Sequence, residues 1–186
     1  EDFAELLLLS ASYFPIVFGR DIKNVLKKLF CHSENLFSFN HVYFAEINQK
    51  SAAMMLGYDS HTKARENFRT GILLFKETGI KLLGKLSMLL KMNNTVGKLP
   101  SNTYYISNIA TYPEYRGMSI AKQLMLFAEG EAKKANVKIM LLDVESENFP
   151  ASNLYKKLGY KKIDEFKVLL QKSRVLHFDR MMKEIK

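Results

Sequence analysis

Apolar residues recur along this chain with two periods, and the period changes where turn-forming residues fall. Phe3, Leu6, Leu7 and the stretch Ser10 to Phe14 recur at helical spacing, so residues 2–13 are expected to form an amphipathic helix, interrupted by Pro15 and Gly19. A second helix is expected over about Arg20 to Phe30. It sets Ile22, Val25, Leu26 and Leu29 on one face and Lys23, Lys27 and Lys28 opposite. The period then shortens. Val42 to Ile47 and Ala52 to Tyr58 read as two strands, joined by the polar connection Asn48-Gln49-Lys50-Ser51, which has hairpin length.

Residues 61–92 return to helical spacing, with Leu73, Leu74, Phe75, Leu82, Leu83, Leu86, Leu89 and Leu90 in stripes between lysines. Two helices are expected there, broken near Thr78-Gly79, and the turn-rich run Asn93 to Pro100 reads as a loop. Thr103 to Thr111 is β-branched and aromatic, a strand; Ile120, Leu124, Phe127 and Ala128 mark a helix running to about Ala135. Ile139 to Val144 is apolar on both phases, as a strand covered on both faces should be. A short helix over Ala151 to Leu158 is expected to end at Gly159. Phe166 to Leu170 and Val175 to Phe178 read as two closing strands around a turn at Lys172-Ser173-Arg174. Strand, helix and strand in alternation imply at least one right-handed parallel crossover.

Length and composition narrow the class. One domain is expected over 1–186, and 47% hydrophobic with 25% charged residues excludes a disordered or fibrous chain. The single cysteine, Cys31, cannot close an intramolecular disulfide, which points to a reducing, cytoplasmic setting. The longest aliphatic run, Leu6 to Leu9, is far short of the roughly 18 residues of a membrane span, and no charged leader with an apolar stretch opens the chain. The formal charge of +9 is the one unusual bulk property. It is unevenly placed: residues 1–60 carry −2, 61–98 carry +6, 99–155 carry −1 and 156–186 carry +6. Apolar residues alternate through both basic blocks, so they are folded surfaces rather than arms.

Chemistry concentrates at two places. In Thr111-Tyr112-Pro113-Glu114-Tyr115-Arg116-Gly117-Met118-Ser119-Ile120-Ala121-Lys122 a strand ends, Pro113 blocks its continuation, and small residues crowd the first turn of the next helix. The first amides of a helix lack intrahelical acceptors and favour an anion off that end. Small side chains let a pyrophosphate approach the backbone, and Arg116 and Lys122 add positive charge. A plain strand-to-helix turn explains the same residues equally well. The second place is Asp143-Val144-Glu145-Ser146-Glu147-Asn148-Phe149-Pro150-Ala151-Ser152-Asn153-Leu154-Tyr155, followed by Lys156-Lys157-Leu158-Gly159-Tyr160.

The Arg-x-x-small-x-Ala turn, with Asn-x-x-Ala-x-x-x-Tyr-x-x-x-Gly-Tyr downstream, resembles the GNAT superfamily of N-acetyltransferases over about residues 103–165. The resemblance implies an α/β (α+β) fold, a mixed, mostly antiparallel central sheet flanked by helices. It also implies acetyl-CoA as co-substrate, with its pyrophosphate on the backbone of Arg116, Gly117, Met118, Ser119, Ile120, Ala121 and Lys122. Ser119 stands where the family usually has glycine; it keeps the backbone donor and adds a side chain that crowds the site. Asn148 resembles the asparagine that bonds the pantetheine or phosphate, and it also suits a helix N-cap ahead of Phe149-Pro150. Tyr155 falls where many members place the phenol that protonates the departing thiolate, a group protonated at neutral pH; alone it would read as an amphipathic core tyrosine. Ile109 and Thr111 match positions whose strand backbone meets the pantetheine arm, and an amide near Ile109 would steady the oxyanion.

The base is less marked. Many members use a Glu from the strand before the pyrophosphate turn, yet 103–111 contains no acid, which leaves Glu145 as the best carboxylate, with Asp143 and Glu147 weaker. Glu145 also reads as a solvated loop charge. His32, His41, His61 and His177 show no metal-ligand spacing, so no metal is expected. No phosphate-binding Gly-x-x-x-x-Gly-Lys-Ser/Thr loop and no nucleic-acid-binding motif occurs. Between the strand at 52–58 and the strand at 103–111, about residues 59–102 form a helical insertion between the third and fourth family strands, read as a lid, a packing element or a homodimer interface. The family begins with a strand before its first helix, and this chain opens at Glu1 in helical sequence, so that strand is expected to be missing. The expected activity is transfer of an acetyl group to a small-molecule or peptide primary amine by direct attack on the thioester; a non-catalytic acyl-CoA-binding module of the same fold is the alternative.

Overall fold

The computed structural model describes residues 1–79, 99–170 and 174–185. Its helices are α1 (Asp2–Ser10), α2 (Phe14–Phe18), α3 (Ile22–Cys31), α4 (Ser60–Thr78), α5 (Ile120–Lys134) and α6 (Phe149–Lys157). Its strands are β1 (Val42–Ile47), β2 (Lys50–Asp59), β3 (Thr103–Thr111), β4 (Ile139–Glu145), β5 (Lys161–Leu169) and β6 (Val175–Glu184). The strands form one sheet in the order β1-β2-β3-β4-β6-β5, antiparallel at every step except β3–β4, which is parallel with α5 as the connection. The mixed, mostly antiparallel sheet expected from the sequence is the observed one, and a helix, α4, opens the segment between β2 and β3.

Helices cover both faces because neighbouring strand residues feed opposite cores. Met55, Tyr104, Met140 and Leu142 pack with Leu124, Met125 and Ala128 of α5 and with Tyr155 of α6. Met54, Tyr105 and Leu141 pack instead with Leu6 and Leu7 of α1 and Leu26 and Leu29 of α3, with Leu73 and Leu74 of α4 against them. A smaller cluster joins Val17 of α2 to Val168, Leu176 and Phe178 of the β5–β6 hairpin.

Several boundaries differ from the sequence reading, each for a local reason. The first helix stops at Ser10, whose hydroxyl donates to the Leu7 carbonyl at 2.8 Å, and Tyr13 then leads into α2 with Pro15 in its opening turn. Proline thus starts a short helix instead of merely breaking a long one. The strand expected at 166–170 begins at Lys161, because pairing with β6 from Met182 onward imposes extended structure on a polar, solvent-exposed run. Strand β6 likewise continues to Glu184 to pair the whole of β4. Helix α4 starts at Ser60, one residue before the expected stretch, capped by Asp59, whose carboxylate accepts from the Thr62 amide at 2.8 Å, and it stops at Thr78, with Gly79 at φ +66°. The second insertion helix, most of the loop at 93–100, and Lys172 and Ser173 lie outside the described residues.

Candidate active site

The site begins with a bulge. Leu56 pairs with Asn108 and Gly57 with Ile106, so Ser107 is an extra residue in β3. A bulge bends its strand, and the bend falls where β3 leaves β4: the parallel ladder runs from Thr103–Ile139 to Ile106–Leu142 and goes no further. Beyond it, residues 107–111 of β3 face 143–145 of β4 across a gap, with no ladder between the strands. Gly57 permits the bulge: a Cβ there would lie 2.9 Å from the Tyr104 ring, which is buried. The kink is fastened to α1, since the Ser107 hydroxyl donates to the Asn108 side-chain oxygen Oδ1 at 3.0 Å and the Asn108 side-chain Nδ2 donates to the Ser10 hydroxyl at 2.9 Å.

A cavity of about 460 Å³ occupies the gap and is lined from both layers of the molecule. Of the residues singled out from sequence, Ile109, Thr111, Arg116, Ala121, Glu145, Asn148 and Tyr155 line it. Gly117, Met118, Ser119 and Lys122 are exposed on the same turn, between or beside Arg116 and Ala121, while Ile120 is buried in the α5 core. Ser119 is the N-cap of α5 in the left-handed region, φ +59°, and Gly117 is at φ +81°. No side chain caps this helix, so its first amides are left to whatever lies off the end. Asn148 caps α6: its side-chain oxygen accepts from the Ala151 amide at 3.3 Å, which leaves its NH₂ as a donor.

Tyr155 is 6% exposed, on the cavity side of α6. Burial alone pushes its phenol well above the ordinary range, so it is protonated throughout neutral pH. The cavity's three charged lining residues among those described are Arg116, Asp143 and Glu145. Asp143 is engaged: Arg180 grips it at 2.8 and 2.9 Å, and the Tyr105 hydroxyl donates to it at 3.0 Å. Glu145, half-buried at the end of β4, has no ion pair or side-chain hydrogen bond with any described residue.

Sequence reasoning did not place Leu9, Ser10, Tyr13, Asn108 and Phe178 at the site, yet all line the cavity. Ser107-Asn108, a polar pair inside an otherwise β-branched and aromatic strand, was the visible sign of the bulge. The other four come from α1, the break before α2, and β6, which only the tertiary fold brings to the gap. None of the lining residues belongs to α4; it packs on α3, β2 and β3, with Thr70 accepting from the Leu36 amide at 2.9 Å and Glu77 accepting from Lys28 at 2.7 Å.

Comparison with known proteins identifies the fold and the family. A Bacillus subtilis (strain 168) protein provisionally named ribosomal protein bS18-alanine N-acetyltransferase is 43% identical over 54 residues, which is 29% of this chain and 36% of that protein. The chain thus matches only about a third of that curated relative's length. Among solved structures, an N-acetyltransferase from Staphylococcus aureus Mu50 superposes with a TM-score of 0.71 at 20% identity, covering 98% of this chain and 93% of that one. A Bacillus subtilis acetyltransferase in complex with CoA superposes at 0.57 with 14% identity, covering 100% and 92%. At these identities the likeness is one of fold. The family model for the acetyltransferase (GNAT) family matches residues 39–160, from β1 through the end of α6, and the chain belongs to that family.

Proposed function

We propose that this protein is an acetyl-CoA-dependent N-acetyltransferase that passes the acetyl group directly to a primary amine in the gap between β3 and β4. The observation that carries the reading is the gap itself: one cavity joins an uncapped helix N-terminus and Arg116 at one end to Tyr155 and Glu145 further in. The turn from Arg116 to Lys122 would hold the pyrophosphate through backbone amides, and the free edge of β3 at Ile109–Thr111 would run beside the pantetheine arm. Asn148 would add its NH₂.

In this scheme the amine nitrogen attacks the thioester carbonyl, and the displaced electrons pass to the carbonyl oxygen, which an amide near Ile109 steadies. Glu145 takes the proton that the amine must lose. As the carbon–sulfur bond breaks, the Tyr155 phenol donates to the departing sulfur. No covalent enzyme intermediate forms, so Cys31, exposed at the end of α3, has no part. The Bacillus subtilis relative named for acetylating a ribosomal-protein alanine suggests a peptide α-amine as acceptor. The test is incubation with acetyl-CoA and a panel of amines, reading free thiol and the acetylated product. Amine-dependent thiol release supports the reading; acetyl-CoA binding without release for any amine would leave a binding module instead.

A further inference from the structure

The gap between β3 and β4 has a floor. At one end β3 runs out at Thr111 toward the Arg116–Lys122 turn; at the other, the last pair of the parallel ladder, Ile106 and Leu142, closes the cavity. Both side chains are 2% exposed and pack into the core shared with α5 and α6. On the opposite face of the sheet a side-chain bond straddles this pair. Tyr105, one residue below it on β3, donates its hydroxyl at 3.0 Å to Asp143, one residue above it on β4. The backbone ladder stops at Ile106–Leu142, yet the two strands stay tied one step further.

The tie is held from both sides. Arg180, the direct partner of Asp143 on β6, donates to its carboxylate at 2.8 and 2.9 Å. Helix α4 closes over the other partner: the buried Lys63 ammonium lies 5.3 Å from the Tyr105 ring centroid, attracting Asp143 and repelling Arg180. The Tyr105 ring is itself 6% exposed and packs on Tyr58, with centroids 6.0 Å apart. Although α4 lines none of the cavity, it thus backs the clasp at the cavity floor.

We infer, resting on the acetyltransferase reading for the direction in which an acyl-CoA enters, that Tyr105 is a positioning residue that restricts the site to short acyl chains. With the pyrophosphate on the turn and the sulfur beside Tyr155, the acyl group is the part that reaches the floor. Added methylenes bury more apolar surface and ordinarily strengthen binding. Here they meet Ile106 and Leu142, and room for them comes from parting that pair. Parting it pulls the Tyr105 hydroxyl away from Asp143 and leaves a buried donor unsatisfied. A chain that bends to the other side instead presses its carbons on the Asp143 carboxylate. The limit on chain length therefore comes from a residue that lies outside the cavity lining.

Binding tests this apart from turnover. Acetyl-CoA and butyryl-CoA are titrated calorimetrically into the full chain, wild type and two variants. The wild type should bind acetyl-CoA at least about tenfold more tightly. In Tyr105→Phe, which keeps the ring and cuts the clasp, the ratio should fall below about threefold through tighter butyryl-CoA binding. Leu142→Ala, which lowers the floor and leaves the clasp intact, should narrow it in the same way. Equal affinities in the wild type, an unchanged ratio in either variant, or a parallel loss of both affinities in Tyr105→Phe, as a merely structural role would give, overturns the inference. A wild type that binds neither thioester overturns the acetyltransferase reading along with it, whereas binding of both with no discrimination leaves that reading standing.

Discussion

Arg180 holds Asp143 by two parallel hydrogen bonds of 2.8 and 2.9 Å across the β4–β6 ladder, where the two residues are direct partners. That grip assigns different work to two carboxylates on one strand face. Asp143, 5% exposed in its side chain, is a structural charge; in the proposed scheme Glu145 is the one that acts on an acceptor. Asp143→Ala leaves the Arg180 guanidinium buried without its partner and should cost about 3–5 kcal/mol, read by urea denaturation. Glu145→Gln should leave stability near wild type and lower kcat by about 10²–10⁴. An unfolding midpoint unmoved by the first, or turnover unmoved by the second, reverses the assignment.

Tyr155 tests the other half of the chemistry. Its phenol is buried on the cavity side of α6, and Phe fills the same space. Tyr155→Phe should therefore lower kcat while leaving acetyl-CoA affinity within about twofold, measured by steady-state kinetics beside calorimetry. Wild-type turnover in this variant removes Tyr155 from the mechanism.

Ser119 occupies left-handed backbone that costs a residue with a Cβ about 1–2 kcal/mol. Glycine there relieves the strain and returns roughly 0.5–1 kcal/mol of it as chain entropy. Ser119→Gly should raise the melting temperature by about 2–4 °C, and Ser119→Ala should not. A lower melting temperature for the glycine variant would mean that the hydroxyl stabilises the turn.

Lys63 gives the fold a pH dependence of definite sign. It is buried beneath α4 with its Nζ 5.3 Å from the Tyr105 ring centroid, and its pKa is lowered to about 8, chiefly by burial, with Asp143 opposing and Arg180 reinforcing. An unfolded lysine titrates near 10.4. Between about pH 8 and 10.4 the unfolded chain binds more protons, so this lysine costs stability in full below pH 8 and progressively less as the pH rises. The stability difference between Lys63→Met and wild type should favour the variant most at pH 7 and shrink toward pH 10 in urea titrations. A difference constant with pH contradicts the sign.

What was legible in the sequence was what is encoded locally. The turn at 111–122 and the run at 143–160 each hold their cues within about 20 residues, and Arg116, Ala121, Asn148 and Tyr155 all line the cavity. The acceptor end was not legible in the same way. Tyr13 reads as part of a helical stripe until Ser10 ends α1, and Phe178 reads as a core strand residue until β6 extends past the end of the β3–β4 ladder. Lys161 to Glu165 carries no apolar alternation, so its strand exists only because β6 offers a partner. The bulge at Ser107 depends on Gly57, 50 positions away in sequence, packing against Tyr104.

The account stands most directly on where coenzyme A lies, and a crystal structure of the protein with CoA bound measures it. The account predicts pyrophosphate oxygens on the amides of the Ser119–Lys122 turn, the pantetheine arm along Ile109–Thr111 in the gap, and the sulfur within hydrogen-bonding reach of the Tyr155 hydroxyl. CoA bound elsewhere, or in the gap with its sulfur away from both Tyr155 and Glu145, would contradict it.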